Sequence, residues 1–492
     1  MLTALLFAHS LLSAQKPLNL QWPRPIPCRM ADGDNPDLFV MTLGDVKTPL
    51  TQGMFDPVKD EFKGYGGTVL QNYFKDVLGV KYFKPIDKSR FALPPSGWFH
   101  YAIDDKGDVA FREPKKDMNL TRTHGDVLFW MVKQFQLLKA QGRGKAIRVE
   151  WEAAIKKLAD AAVATWKREG QWGKMVNVRT GDVSEYNSSG GVMLIGGLAL
   201  ASSYFLNPEY LEVAKHAADF YYRRDFVKQG QTTGGCADIL QNADSETAFG
   251  FCTALTALYD VTGDRAWLDR SRQLANLAAT WTVSYDYELP KFTPLGALGT
   301  RLAGAVWAST QNKHSAPGYC TGSGDPLLKI YRATGDTRYP DLLRDILRAH
   351  DEAFYGGGGT ERLTYCDADS RGENYPGSNG WTECNGAMMA LEIPGIYLRT
   401  DIDRCYVFDA IKAKVLSRNS DGVYVEITNP TKFTANVTIF AEGAAQAQRP
   451  QQPVAFLHWP KFEVKPGETK VIRVHQQSVG STWLIDSSVR RS

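Results

Sequence analysis

Apolar residues recur with helical spacing through the middle of the chain, from about residue 124 to residue 398. The segments form pairs: 124–141 with 147–169, 185–205 with 207–223, 243–262 with 264–283, and 324–335 with 336–354, followed by 381–398. The first members are apolar or small throughout, as in GGVMLIGGLALASSYF, whereas the second members carry charges along one side. A helix that is apolar on every side is buried on every side. The pattern therefore predicts an (α/α)6-type toroid, with small-residue helices inside a ring of amphipathic helices.

The turns within these pairs repeat. Tyr259 precedes a Thr-Gly-Asp turn that ends at Asp264, and Tyr331 precedes the same turn ending at Asp336. A weaker copy begins at Tyr204. The glycine can take the left-handed conformation that ends a helix, and the aspartate can cap the next helix. Repeated hairpins of unequal length favour a closed ring over an open solenoid.

After Asp401 the apolar positions alternate with polar ones, and Asn-Pro and Pro-Gly turns separate the runs, as in YVEITNPTKFTANVTIFAE. This period is typical of antiparallel strands. It predicts a small β-sandwich at 401–476 and a polar tail at 477–492, after a toroid that occupies 16–400 together with an N-terminal extension.

Composition narrows the classes of function. The opening run MLTALLFAHSLLSAQ resembles a signal peptide at residues 1–15, so we expect a secreted or periplasmic protein. No later run reaches the length of a membrane span. A net charge of +3 over 492 residues is not the excess of basic residues that would indicate nucleic-acid binding. The seven cysteines show no CxxC spacing and form no disulfide framework. Composition leaves the oligomeric state open.

Inner helices of a toroid run parallel, so the loops before them converge at one end. Each of these loops carries a carboxylate, and most carry an aromatic residue or a histidine. The candidates, in chain order, are His124 and Asp126, Tyr186 and Asn187, Asp244 and Glu246, His314, Tyr319 and Asp325, and Trp381 and Glu383. The structural alternative is that the acids only cap helix N-termini.

Glycoside hydrolysis needs two carboxyl groups that flank the scissile bond. We assign this pair to Glu246 or Asp244 on one inner helix and to Glu383 on another. The remaining candidates are predicted to bind substrate, because aromatic rings stack on sugar faces and polar side chains bind hydroxyl groups: His124, Asp126, Tyr186, Asn187, His314, Tyr319, Asp325 and Trp381.

The segment from Gly318-Tyr319-Cys320 to His350, followed by Trp381-Thr-Glu-Cys384-Asn-Gly and Tyr397, resembles the six-hairpin glycosidase superfamily. The most similar pattern is the β-L-arabinofuranosidase type, and the resemblance implies a helical toroid followed by a β-domain. That type holds zinc with a glutamate and three cysteines. Here the matching positions after Tyr319 are Thr321 and Ser323, and Cys384 alone has an obvious counterpart, so neither zinc nor a cysteine nucleophile is carried over.

The sequence thus predicts an exported glycoside hydrolase without cofactor or metal, acting at the end of a carbohydrate chain. Two rivals stay open. A polysaccharide lyase would need a group that neutralises a uronate and a Tyr or His base, which His124, His314, Tyr186, Tyr319 and Asn187 could supply. Separately, the basic residues near the mouth, Arg122, Lys313 and His314, would suit a uronic acid as the sugar. A non-catalytic carbohydrate-binding protein would use the same acids only as helix caps. A sugar epimerase on the same ring is a lesser alternative.

Overall fold

The computed structural model describes residues 118–147, 149–235, 243–286, 303–307, 309–310, 325–353, 392–431, 434–476 and 483–486. Within them, helices dominate before residue 354 and strands dominate after residue 392. The predicted signal peptide and most of the predicted N-terminal extension lie outside the described residues.

The long helices come in pairs: α1 (Thr121–Ala140) with α2 (Val149–Glu169), α3 (Val192–Tyr204) with α4 (Pro208–Tyr221), α5 (Ser245–Thr262) with α6 (Arg265–Ala279), and α7 (Asp325–Thr334) with α8 (Arg338–Ala353). A 3-10 turn (Gly144–Ala146) precedes α2, and a π-helical turn (Tyr222–Val227) extends α4. These are the four predicted pairs, which are confirmed. The prediction of helix from residue 185 is wrong in its first residues, because α3 begins at Val192.

Burial separates the two members of a pair. Every residue of α5 from Ser245 to Tyr259 is buried, and so is every residue of α3 from Val192 to Ser202. The charged helix α6 buries one stripe only, made of Trp267, Leu268, Ser271, Leu274, Ala275 and Ala278. In chain order α1 packs on α3 and α3 packs on α5, so the first members are neighbours in the interior. The predicted contrast between inner and outer helices is confirmed for these pairs.

Glycine lets the inner helices approach closely. A Cβ on Gly125 of α1 would lie 2.6 Å from the backbone nitrogen of Leu194 in α3. Likewise, a Cβ on Gly197 would lie 2.7 Å from the side chain of Leu128. Atoms at such distances overlap, so a larger residue at either position would push the two helices apart. The small residues of the inner helices are therefore a packing requirement.

The repeated turns form as predicted. Gly263 and Gly335 have positive φ angles of 71° and 72°, and the following aspartates cap the next helices. Asp264 accepts a hydrogen bond from the backbone nitrogen of Ala266 (2.9 Å), and Asp336 accepts one from that of Arg338 (3.1 Å). Each aspartate side chain thus satisfies one of the free N–H groups at the start of its helix.

A three-stranded sheet interrupts the region predicted to be almost wholly helical. Its strands are β1 (Met118–Leu120), β2 (Met175–Asn177) and β3 (Val183–Ser184), in that order. Two backbone hydrogen bonds of Lys174 connect residues that flank the strands. The Lys174 carbonyl accepts from the Thr121 nitrogen (2.8 Å), and the Lys174 nitrogen donates to the Glu185 carbonyl (3.2 Å). The sheet thereby fixes the loop before α3 beside the start of α1.

The described residues of the C-terminal part form eight strands: β4 (Ile396–Arg399), β5 (Arg404–Val407), β6 (Lys412–Asn419), β7 (Gly422–Thr428), β8 (Ala435–Glu442), β9 (Lys461–Val464), β10 (Thr469–Gln476) and β11 (Trp483–Asp486). Two short helical turns, α9 (Ala444–Ala447) and a 3-10 turn (Ala455–His458), lie between β8 and β9. The strands form two sheets of four, ordered β11-β10-β7-β6 and β5-β4-β8-β9. Buried side chains from both sheets join in one hydrophobic cluster.

Three sequence predictions differ from this arrangement. The predicted helix 381–398 is wrong at its end, because Ile396–Arg399 form β4; a short apolar run does not distinguish a buried strand from a helix. Strand β4 pairs parallel with β8, so the sheets are not purely antiparallel. The predicted polar tail contains β11, which pairs with β10.

Candidate functional site

The first turns of three inner helices meet at one end of the helical part. Gly125 in the first turns of α1 lies against Met193 and Leu194 in the first turn of α3. Arg122 in α1 reaches Glu246 in the first turn of α5. The predicted convergence of the loops before the inner helices is therefore confirmed for these three helices.

Arg122 holds two carboxylates. Its Nε lies 2.9 Å from Oδ2 of Asp126, one turn later in α1, and its Nη1 donates to the carboxylate of Glu246. The same Nη1 also donates to the carbonyl of Gly235 (3.2 Å). We call Arg122, Asp126 and Glu246 the mouth network.

The mouth network is buried. The exposed fractions are 4% for Arg122, 0% for Asp126 and 6% for Glu246. Taking charges out of water costs several kcal/mol per ion, and their attraction offsets this cost only with good geometry. Replacing such a network by apolar residues is often neutral or stabilising. Stability alone is therefore a weak reason for two carboxylates and an arginine at this position. Of the three carboxylates near the start of α5, Glu246 keeps the largest exposed fraction, since Asp244 is also at 0%.

Asp244 caps α5 with one carboxylate oxygen and binds the Gly235 backbone with the other. Its Oδ1 accepts from the Thr247 nitrogen (2.5 Å), and its Oδ2 accepts from the Gly235 nitrogen (2.8 Å). Burial and, after it, the charge of Glu246 raise the pKa of Asp244 to about 6, although the two backbone hydrogen bonds act in the opposite direction. The capping alternative applies to Asp244, which leaves Glu246 as the better candidate on this helix.

His124 lies in the same first turn and is completely buried. Its Nδ1 is 2.9 Å from the carbonyl oxygen of Leu120. A carbonyl can only accept, so Nδ1 carries the hydrogen. On either side of Arg122, the buried hydroxyl groups of Thr121 and Thr123 have no hydrogen-bond partner among the described residues. Buried polar groups are almost always partnered, and exceptions often mark a functional site.

Tyr186 and Asn187 lie exposed in the loop before α3. Tyr186 is 40% exposed, and its hydroxyl donates to Glu169 at the end of α2 (3.1 Å). Arg224 fixes this loop from the π-helical turn, because its Nη1 donates to the Tyr186 carbonyl (2.8 Å) and its Nη2 to the Ser188 carbonyl (2.9 Å). An exposed aromatic ring on a fixed loop is compatible with sugar stacking, which stays a prediction.

The structure does not place the other predicted site residues beside the mouth network. Glu383, His314, Tyr319 and Trp381 lie outside the described residues, and Asp325 begins α7. Cys320 and Cys384 also lie outside, so the expectation that they hold no zinc stays a prediction. Among the described residues, no group of three or more metal-ligating side chains could hold an ion. In that part of the chain, likewise, no helix is both long and apolar enough to cross a membrane.

Sequence reasoning misjudged Arg122. It was expected near the mouth as a residue that would suit a uronic acid, but it is buried and its guanidinium contacts two carboxylates. Its spacing of four residues from Asp126 on one helix was the available signal. The contact with Glu246 crosses 124 residues and leaves no local signature.

No family model matches the sequence, and no curated protein matches it. Several solved structures match the fold of the chain. A D-mannose isomerase is 14% identical, with a TM-score of 0.40 over 60% of this chain and 75% of that one. A cellobiose 2-epimerase from Bacillus thermoamylovorans B4167 is 10% identical, with a TM-score of 0.40 over 65% of this chain and 80% of that one.

A GH127 β-L-arabinofuranosidase from Geobacillus stearothermophilus T6 is 12% identical, with a TM-score of 0.34 over 78% of this chain and 67% of that one. At such scores these likenesses carry no argument about activity, and the proposals below rest on the residues of this chain. Among these solved structures is thus a β-L-arabinofuranosidase, the type that the sequence was expected to resemble distantly.

Proposed function

We propose that the chain is an exported glycoside hydrolase that acts at the end of a carbohydrate chain, with Glu246 as one of its two working carboxyl groups. In this proposal the helical pairs close into an (α/α)6 toroid, and the two C-terminal sheets pack as a β-sandwich beside it. The observation that carries the proposal is the mouth network, in which two elements far apart in sequence bring a carboxylate and an arginine to the converging helix starts.

Glu246 suits the role for two reasons. First, it is the least buried carboxyl group at this helix start, and Asp244 already accepts backbone hydrogen bonds with both oxygens. Second, Arg122 fixes its position, and catalysis needs reacting groups held in a defined geometry. In the proposed reaction one carboxyl group protonates the leaving oxygen, and the other activates water or attacks the anomeric carbon.

The opposing carboxyl group is assigned to Glu383, which starts a different predicted inner helix. The separation of the two groups would decide the stereochemistry: roughly 6.5–9.5 Å leaves room for a water and gives inversion, and about 5–5.5 Å gives retention. A product analysis by NMR during the first turnovers would read this outcome directly.

Arg122 does not suit the neutralising group that the lyase alternative requires. A lyase must neutralise the carboxylate of a bound uronate, and the guanidinium of Arg122 already contacts Asp126, Glu246 and the Gly235 carbonyl. A uronate would have to displace one of these partners. The hydrolase hypothesis does not require that a partner of Arg122 be displaced.

The test is a screen of aryl glycosides and uronate oligosaccharides with the full chain, followed by Glu246→Gln and Glu383→Gln on the best substrate. We expect new reducing ends without ultraviolet-absorbing products, and a loss of about 10²–10⁴-fold in kcat for either variant. An unsaturated product would identify a lyase, and an isomerised sugar without a new reducing end would identify an epimerase or isomerase. Full activity in both variants would refute the carboxylate assignment.

A further inference from the structure

A cleft of about 260 Å³ lies at the end of the inner helices that is remote from the mouth network. Its walls include Ser203 near the end of α3, Val261 near the end of α5, and residues 451–456 of the C-terminal part. Lys133 on α1 also lines it, eleven residues after Arg122. At 1.5 Å per residue this places the cleft roughly 16 Å from the mouth network along that helix. We call it the far-end cleft.

Two ion pairs line the far-end cleft. The Nζ of Lys133 lies 2.6 Å from Oε1 of Glu392, and the Nζ of Lys329 lies 2.5 Å from Oδ2 of Asp260. The four side chains are 11–17% exposed, so they are mostly buried but still border the cleft. Their charges sum to zero. An ion of either sign would have to displace an existing partner and lose its own hydration. The electrostatics therefore favour a neutral polar ligand.

The uncharged part of the lining combines a few polar side chains, which suit hydroxyl groups, with a larger apolar part. The amides of Gln136 and Gln452 each offer donors and an acceptor, and Ser203 offers a hydroxyl that does both. Val454 and Phe456 add an apolar wall. A sugar ring has the matching character, because its edge carries hydroxyl groups that donate and accept while its faces carry C–H groups. A ligand that is only apolar would remove the amides from water without offering them hydrogen bonds.

The apolar wall is held in a strained shape. Val454 has a φ of 53°, in the left-handed region that β-branched residues rarely adopt. Hydrogen bonds on both sides hold this turn, from the Ala455 nitrogen to the Gln452 carbonyl (3.2 Å) and from the Leu457 nitrogen to the Val454 carbonyl (3.0 Å). Strain of this kind persists only where the surroundings enforce it, and it concentrates at ligand sites. A wall shaped in advance reduces the ordering cost of binding.

We propose that the far-end cleft binds a neutral sugar of one or two rings, as a carbohydrate site separate from the mouth network. The volume lies just below the usual range for small-molecule pockets, which limits the ligand to this size. The inference does not depend on the proposed function, because the two sites share no residue.

The test is calorimetric titration of the full chain with neutral glucose, mannose, arabinose and cellobiose, and with glucuronate and glucosamine as charged counterparts. Two changes address the cleft: the double variant Gln136→Ala/Gln452→Ala removes hydrogen-bonding groups, and Ser203→Trp fills the space from an exposed position. Gln273→Ala, on the outer helix α6, is the matched control. Glu246→Gln reports on the mouth network.

We expect a neutral sugar to bind saturably, with an affinity lowered about 10-fold or more by the double alanine variant. Ser203→Trp should abolish this binding event, whereas Gln273→Ala and Glu246→Gln should leave it unchanged. A second event that disappears in Glu246→Gln would belong to the mouth network. No binding by any neutral sugar, tighter binding of the charged sugars, or binding that survives both cleft variants would overturn the proposal. A signal removed only by Glu246→Gln would also overturn it, while supporting sugar binding at the mouth network.

Discussion

Arg122 and Arg332 are equally buried, each with 4% of its surface exposed, yet their surroundings differ. Arg332, on α7, binds Glu442 of β8 through two parallel hydrogen bonds, Nε to Oε1 (2.6 Å) and Nη2 to Oε2 (2.8 Å). The hydroxyl of Tyr397 donates to the same carboxylate (2.7 Å), and the ring of Phe440 lies 5.1 Å from the guanidinium carbon. We call Arg332, Glu442 and Tyr397 the junction network.

The junction network joins a helix to a sheet with one cation against one carboxylate. The mouth network sets one cation against two carboxylates, beside the hydroxyl groups of Thr121 and Thr123 that have no partner among the described residues. A satisfied network fixes the relative position of two elements, and a partly satisfied one is costly unless a ligand completes it. We take the difference as support for a structural role at the junction and for the proposed functional role at the mouth.

The largest expected effect is on stability at the junction. Arg332→Met should lower the free energy of unfolding by about 3–5 kcal/mol, because it leaves Glu442 buried without its countercharge. The double variant Arg332→Met/Glu442→Leu should regain most of the loss, since both charges are then gone. Urea unfolding measures both. A loss below about 1 kcal/mol in the single variant would contradict the assignment.

The next effect is a pH dependence from Asp244, whose pKa is raised to about 6 by burial and by Glu246. The folded state then holds this proton more tightly than the unfolded chain does. Asp244 therefore contributes stability that is present below about pH 4 and is lost as the pH rises through about 6, on the order of 3 kcal/mol in total. Urea unfolding across this range should show the decline, and Asp244→Asn should remove it.

Asp336 provides a control of opposite sign. It caps α8 in a solvent-exposed turn, and its hydrogen bonds with Arg338 lower its pKa. Its contribution is present above its unfolded pKa and is lost as the pH falls through the lowered value. If Asp244→Asn and Asp336→Asn changed the pH dependence in the same direction, the contrast between buried and exposed caps would be wrong.

A smaller effect should separate the two arginines by activity. Arg122→Lys keeps the charge but loses the planar fork that reaches two carboxylates, so kcat/KM should fall about 10–100-fold on the substrate found by the screen. Arg332→Lys makes the same chemical change at the junction, and the activity per folded molecule should equal that of the unaltered chain. Equal losses in the two variants would remove the functional distinction between the networks.

The smallest effect concerns the repeated caps. Asp264→Ala and Asp336→Ala should each lower the free energy of unfolding by about 1 kcal/mol, because each removes one side-chain acceptor from a helix N-terminus. Asp269→Ala, exposed on α6, is the control and should have little effect. Unequal losses at the two caps would show that the turns, although alike in sequence, are not equivalent in the fold.

The sequence by itself determined the features that depend on near neighbours along the chain. The turns at Gly263 and Gly335 were predictable because the left-handed glycine and the capping aspartate act within three residues. The inner and outer helices were predictable because the distribution of apolar residues around a helix shows whether it is buried on one side or on all sides. The strands after Asp401 were predictable from their alternation and turn residues.

Only the tertiary structure decided the contacts between distant residues. Arg122 with Glu246 and Arg332 with Glu442 are 124 and 110 residues apart, and no local pattern pairs them. The apolar run Ile396–Leu398 became a strand because β8 and β5 lie on either side to accept its hydrogen bonds. A residue beside a helix start can cap, pair or catalyse with the same chemistry. Burial and the identity of its partners select the role, and both are properties of the folded chain.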